Sequence, residues 1–343
     1  MLQEHGNIDF SEYKETTILR RIKRRMVINK MEDLKEYVAH ITSNPEELTS
    51  LRKDLLISVT SFFRDSQAFE ALTEQLKEQL SKKQPGDSFR AWVPGCATGE
   101  EAYSIAILVA EILGKHRGKY HVQIFATDID EDAIQLARKG IYPVATLMET
   151  DGRRFEQHFD HIDDTVKLKK HIRDMVVFAR QDVTGDTPFL HLDLISCRNL
   201  MIYMNPGLQD KVLSLFQFSL NQRGLLFLGK SESINKHDNL FKPVDSRWKI
   251  YRRQESGRAH MPKLVQKRHM DQLIRHRDNF GKQQRDDREK RAGLLFDAML
   301  GLEKGSAAVL TDSNAIILHI RGDVSPYLRF PEGNFDESIS AID

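Results

Sequence analysis

The sequence is poor in cysteine, with two in 343 residues, Cys96 and Cys197. Two thiols so far apart make no disulfide framework, and neither has the spaced Cys or His neighbours of a zinc site. No metal centre is expected, and a reduced, cytoplasmic compartment fits this usage. Long apolar runs are also missing. The longest, AYSIAILVA at 102–110, is too short to span a bilayer and stops at Glu111, so no membrane insertion is expected. The opening residues lack the charged, apolar and small-residue pattern of a secretory leader. Charge of one sign is not in excess either: 51 Lys and Arg face 50 Asp and Glu, a net of +1. That balance offers no field for bulk nucleic-acid binding, and no nucleic-acid partner is expected.

What is present suits a folded soluble chain, 40% apolar and 29% charged. Its length exceeds one compact core, so several domains are expected. Residues 1–83 read as a helical domain. Ser11 is an N-cap candidate ahead of TILRRIKRRM, where Ile18, Leu19, Ile22 and Met26 form an apolar stripe among Arg20, Arg21, Lys23, Arg24 and Arg25. Amphipathic segments follow at 31–41, 45–57 and 66–80, the second opening on Pro45, which suits a first helical position. The turn signal QPGD, 84–87, marks a boundary.

From 84 to 253 strands alternate with helices, the strands falling at 89–93, 122–127, 175–179, 192–196, 224–228 and 247–252. Alternation of this kind predicts the α/β class, a mostly parallel sheet covered by helices on both faces. Residues 140–174 are too polar and irregular for one crossover and read as an inserted subdomain, with 165–170 as an exposed hairpin. Residues 254–292 read as a charged linker. Residues 293–343 hold a helix and two strands around the turn at 312–314, too little for a complete domain.

The chemistry concentrates at strand ends. In PGCATGEE, 94–101, Gly95 and Gly99 let backbone amides approach a ligand where a strand turns into a helix. Glu100 and Glu101 would repel a phosphate there but attract an ammonium, such as the amino-acid end of S-adenosylmethionine; the alternative is a purely structural glycine turn. Asp128, just past the second strand, is placed to accept from both ribose hydroxyls, although it or Asp130 would serve equally as a helix N-cap. Asp182 is placed near an adenine amino group or is simply a turn residue of DVTGD. Arg198, Asn199 and Tyr203 follow the fourth strand, where open parallel sheets bind ligands; Tyr203 also reads as a core aromatic. In SVTSFFRD, 58–65, Phe62 and Phe63 read as core or cleft wall and Arg64 as a structural ion pair.

Taken together, DFSEYKETTILRRIKRRM, SVTSFFRD, PGCATGEEAYSIA, FATDIDEDAIQLARKGIY, ISCRNLMIYM and GLLFLGKSESI resemble the chemotaxis receptor methyltransferases of the CheR type, in that family's order from residue 9 to 252. The resemblance implies an N-terminal helical domain, then a Rossmann-like class I S-adenosylmethionine-dependent methyltransferase sheet of seven strands with an inserted small antiparallel β-subdomain. It implies methylation of glutamate side chains on a chemoreceptor or related signalling protein, with S-adenosylhomocysteine as product. Carried over by position, Ser58, Thr60, Arg64, Gly95, Glu101 (favoured over Glu100), Asp128, Asp182, Val183, Arg198 and Asn199 become cofactor-binding. Arg64 and Tyr203 fall on the family's candidate catalytic positions. Ser58 stands where the best-known members carry asparagine.

Two further readings attach to the resemblance. The cluster Arg20, Arg21, Arg24 and Arg25 is either a solvated helix face or a grip on an acidic receptor helix. The tail from LLFDAM to SPYL resembles the front of a PAS sensor domain, implying a larger parent protein. Against these stand a non-catalytic S-adenosylmethionine-binding signalling or scaffold module, and a nucleic-acid or small-amine methyltransferase. The fourth strand reads Asn-Leu-Met-Ile-Tyr rather than the Asn-Pro-Pro-aromatic signature of amine methylators. A nicotinamide oxidoreductase is disfavoured by the glycine spacing and the acids that follow it.

Overall fold

The computed structural model describes residues 10–56, 59–147, 151–234 and 237–254, and the backbone of two strands further on. Two compact units divide the chain, Met1–Lys267 and Arg268–Asp343. In the second, β11 (Ala308–Thr311) and β12 (Ile317–Arg321), numbered after the strands below, pair antiparallel. Most of the expected linker and the rest of the PAS-like stretch lie outside the described residues.

Four helices open the first unit: α1 (Glu15–Ile28), α2 (Leu34–Ser43), α3 (Pro45–Leu55) and α4 (Ser66–Leu80). Pro45 takes the first position of α3 and the Asn44 side chain accepts from the N–H groups of Glu46 and Glu47, satisfying two otherwise orphaned donors. Ser11 is not the cap of α1. The helix begins three residues later behind Lys14, because residues 11–14 are drawn into other contacts: Tyr13 closes a turn on Phe10 and bridges to Met204.

The apolar stripe of α1 packs on α2 and α3. Met26, Tyr37, Ile41, Leu51 and Leu55 form a small core with Phe10. Helix α4 does not join it. Its buried residues Ala68, Phe69, Leu72, Leu76 and Leu80 share the core of the sheet. The expected boundary at 83/84 therefore corrects to the stretch between α3 and α4, since the packing partners change there.

A seven-stranded sheet follows, built of β1 (Ser88–Pro94), β2 (His121–Asp128), β6 (Val176–Arg180), β7 (Leu192–Cys197), β8 (Leu220–Leu228), β9 (Phe241–Asp245) and β10 (Ile250–Arg253). Its order is β6-β2-β1-β7-β8-β10-β9, parallel except at β10. Central strands are covered on both faces, which is why β7, LDLISC, is buried throughout. One face carries α4, α5 (Glu100–Leu113) and α6 (Glu131–Lys139); the other packs Trp92, Ile195 and Leu226 against α9 (Pro206–Ser219). Sequence reading missed β9.

The insertion is a three-stranded antiparallel sheet in the order β3-β5-β4: β3 (Ile141–Pro143), β4 (Phe159–Ile162) and β5 (Thr165–Leu168). Short helices α7 (Gly152–His158) and α8 (Lys170–Arg173) flank the hairpin. The expected hairpin spans 159–168 rather than 165–170, and it is exposed at its tip but buried on one face. Val166 and Leu168 are fully buried, and the Phe62 ring packs edge-on to Tyr142 and Phe159 at 5.0 and 5.2 Å. Among the described residues no helix is long and apolar enough to cross a membrane.

Candidate active site

The sheet order reverses between β1, whose neighbours are β2 and β7, so the loops leaving these strands diverge and leave a crevice at their carboxyl ends. A cleft lies there. Gly95 from β1, Asp128 from β2, Asp182 and Val183 after β6, and Asn199 and Tyr203 after β7 all line it. Six of the expected residues thus meet in one place although they span more than a hundred positions of sequence.

The glycine loop is held by Asp128. Its Oδ2 accepts from the Ala97 N–H at 2.8 Å and its Oδ1 from the Asp130 N–H at 2.9 Å. Capping of α6 falls to Asp130, which accepts from the Asp132 N–H. Burial pushes the Asp128 carboxyl up, and the N–H donors of Asp130 and Ala97 oppose this. Gly95 has φ of 68° and faces Leu200. Gly99 serves packing: at φ of 95°, a Cβ there would stand 2.9 Å from the Ala137 Cβ and 3.0 Å from the Phe178 ring.

The acids of α5 point differently. Glu100 accepts from the Thr98 hydroxyl at 2.7 Å, whereas Glu101 reaches under β7 to accept from the Ser196 hydroxyl at 2.7 Å and from Arg198 at 3.4 Å. Burial raises the Glu101 carboxyl, and Arg198 and Ser196 pull it back. Arg198 is buried, with its guanidinium over the Phe69 and Phe227 rings, and its second arm ion-pairs with Asp65 at 2.8 Å. Asp65 also holds Lys230 at 2.7 Å. Glu101 and Arg198 therefore form a charged cluster adjoining the cleft rather than its lining.

Arg64 donates to the Val59 carbonyl at 3.3 Å, and its charge is a small influence, behind that of Arg198, among those that favour the ionised forms of Asp65 and Glu101. Neither Arg64 nor Thr60 lines the cleft. Ser58 lies outside the described residues. Asp182 does form the turn read as its plain alternative, its Oδ1 accepting from the Thr184 N–H and hydroxyl at 2.8 and 2.6 Å, yet it lines the cleft as well.

Sequence reasoning missed one whole wall. Phe10, Tyr13, Thr17, Ile18, Leu55 and Leu56 close the cleft from the helical side. Main-chain bonds fix that wall: the Lys14 N–H donates to the Tyr203 carbonyl at 2.8 Å and the Asn205 N–H to the Glu12 carbonyl at 2.9 Å. Burial pushes the Tyr13 hydroxyl up, and Asp182 and Asp128 add to it, which puts Tyr13 beside both acids. Asp65 was missed too; its left-handed backbone, φ of 62°, gives no signal in sequence.

The basic cluster of α1 is only partly available. Arg25 turns inward to pair with Glu47, whose Oε1 also accepts from the Tyr37 hydroxyl at 2.8 Å, so Arg25 is removed from the expected grip. Arg20, Lys23 and Arg24 remain exposed, and Arg21 is half-buried.

Residues 58–250 match the profile of the CheR methyltransferase, SAM binding domain, and residues 1–56 that of the CheR methyltransferase, all-alpha domain. A putative methyltransferase, Cher3, of Pseudomonas putida is 33% identical over 71% of this chain and 91% of its own length. The chemotaxis protein methyltransferase of Salmonella typhimurium is 29% identical over 68% and 82%. An uncharacterized 104.1 kDa protein of Rhodobacter capsulatus is 31% identical over 97% of this chain, which spans 35% of that relative. S-adenosylmethionine is the ligand of the matched domain, and the donor set fits it. Among the residues lining the cleft, Asp128 keeps lone pairs for hydroxyls, and Val183 and Leu200 offer apolar contact.

Proposed function

The chain belongs to the CheR methyltransferase family, and from that premise we propose that it methylates glutamate side chains of a chemoreceptor or related signalling protein, forming γ-carboxyl methyl esters. One observation carries the reading: a single cleft brings Asp128 and Asp182, suited to a nucleoside, beside Tyr203, suited to an acceptor.

When bound, S-adenosylmethionine would supply an electrophilic methyl group, with S-adenosylhomocysteine as the product. Asp128 would hold the ribose hydroxyls, Asp182 and Val183 the adenine end, and Glu101, from beside the cleft, the ammonium, with Asn199, Gly95, Thr60 and Arg198 completing the set. An ionised glutamate is already a nucleophile, so no residue has to remove a proton. The chain's contribution is alignment and removal of water. Tyr203 orients the acceptor by its hydroxyl. Arg64, near the Glu101 cluster, makes a charge-assisted contact with the acceptor carboxylate or the donor's own.

Exposed Arg20 and Arg24, with Lys23, give an acidic receptor helix a cationic face, an attraction that weakens with salt. Two buried free thiols suit the reducing cytoplasm. The antiparallel β11–β12 pair lies within the stretch that resembles a PAS domain.

Incubation with methyl-labelled donor and a receptor signalling fragment tests the reading. Base-labile label on the receptor, reduced by Arg64→Ala or Tyr203→Phe in folded protein, is the expected result. Donor binding without any transfer would instead favour a signalling module that has kept only the ligand site.

A further inference from the structure

Asn199 and Tyr203 are carried by one short segment with an irregular backbone. Asn199 has φ of 61°, and a single 3-10 turn spans Met201–Tyr203. Neither the sheet nor a long helix holds the amides at its start. One side chain does. Glu232, 4% exposed in the loop after β8, accepts at Oε2 from the N–H groups of Asn199 at 2.9 Å and Gly229 at 2.7 Å, and at Oε1 from Met201 at 2.8 Å. The Ile202 N–H also acts on it.

We infer that Glu232 is a positioning residue for methyl transfer: its carboxylate fixes the turn from Asn199 to Tyr203, and through it the place of the Tyr203 hydroxyl against the acceptor. The inference rests on the function proposed above. Charge-assisted bonds from amides are among the stronger contacts available to a backbone, and here they hold the start of a segment whose far end is tied by the Lys14 N–H to the Tyr203 carbonyl and by the Gln209 side chain to the Met201 carbonyl. Burial pushes the Glu232 carboxyl up and the Gly229, Asn199 and Met201 donors hold it down, so charge and turn maintain each other. Space is equally restricted. A Cβ at Gly229 would stand 2.8 Å from Glu232 Oε2 and 3.0 Å from the Asn199 nitrogen.

Two variants and two readouts test this. Glu232→Gln keeps the size but turns an amide donor against backbone donors, whichever way it is flipped. Glu232→Asp keeps the charge but withdraws the carboxylate by one methylene, touching no atom of the turn directly. Hydrogen exchange of the peptide over 198–205 should speed up about 10-fold or more in both variants, with the β8 peptide unchanged. Turnover should fall about 10- to 100-fold with the donor KM moved less than about 3-fold, the size expected for an acceptor misplaced by an ångström or less. In a Tyr203→Phe background the further loss from Glu232→Gln should shrink to about 2-fold, since the two act as one unit. Equal losses in both backgrounds, or unchanged exchange at 198–205, overturn the inference. Should Glu232→Gln not fold, Glu232→Asp decides by the same readouts. Absence of methyl transfer by the unmodified protein would remove the proposed function while the exchange arm still decides whether Glu232 holds the turn.

Discussion

Arg198 and Asp65 form an ion pair at 2.8 Å that joins the end of β7 to the start of α4. The arginine side chain is 1% exposed and the aspartate 25%. Asp65→Asn should destabilise the protein, because a buried guanidinium loses its shorter ion pair and keeps Glu101 at 3.4 Å. The cost expected is about 2 kcal/mol, discounted from a fully buried pair, or about 4–8 °C in melting temperature. Thermal melting checks it, and an unchanged midpoint would show that the pair is not what anchors Arg198.

Glu47 gives a pH signature. The Arg25 side chain, with help from Tyr37, holds its carboxyl down to about 2, against an ordinary value of 4.5. A carboxyl depressed on folding contributes stability that is complete above its unfolded value and lost as pH falls through the folded one. The melting-temperature gap between the unmodified protein and Glu47→Gln should therefore be constant above about pH 5 and close between there and pH 2. A gap that widened on acidification would contradict the assignment.

Much of the fold was legible because strands buried on both faces leave continuous apolar runs, as AWVP and LLFL do. Strand β9 left none, since only Phe241 of its five residues is buried. The site residues that sequence found follow strand ends, a position topology alone makes functional. Those it missed depend on tertiary docking: Tyr13 enters the cleft because a strand-like bridge ties it to Met204. Arg25 looked like its basic neighbours because nothing local announces Glu47 and Tyr37 across the helical core.

Gly99 and Gly86 separate strain from packing. Both have φ near 95°, 95° and 98°, but a Cβ at Gly86 meets nothing within 4 Å while one at Gly99 meets α6 and β6. Gly86→Ala should cost about 1 kcal/mol and Gly99→Ala about 3 kcal/mol in denaturant unfolding. Equal costs would mean that the α5 start yields more readily than its contacts suggest.

Lys14→Pro isolates the bond that closes the helical wall. The φ of Lys14 is −62°, which proline adopts, so the change removes chiefly the N–H donated to Tyr203. Stability should drop by about 1 kcal/mol, and donor affinity should weaken several-fold as Tyr13 loosens over the cleft. Calorimetry on the variant measures both, and full affinity would detach the wall from the ligand.

The central claim is that the cleft at the strand ends holds the methyl donor through Asp128. Titration of S-adenosylhomocysteine into the unmodified protein and Asp128→Asn, followed by calorimetry, tests it most directly. The account predicts one site per chain, with affinity reduced about 10-fold or more in the variant, as for loss of a hydrogen bond to a charged group. No heat with the unmodified protein, or equal affinity for both, would contradict it.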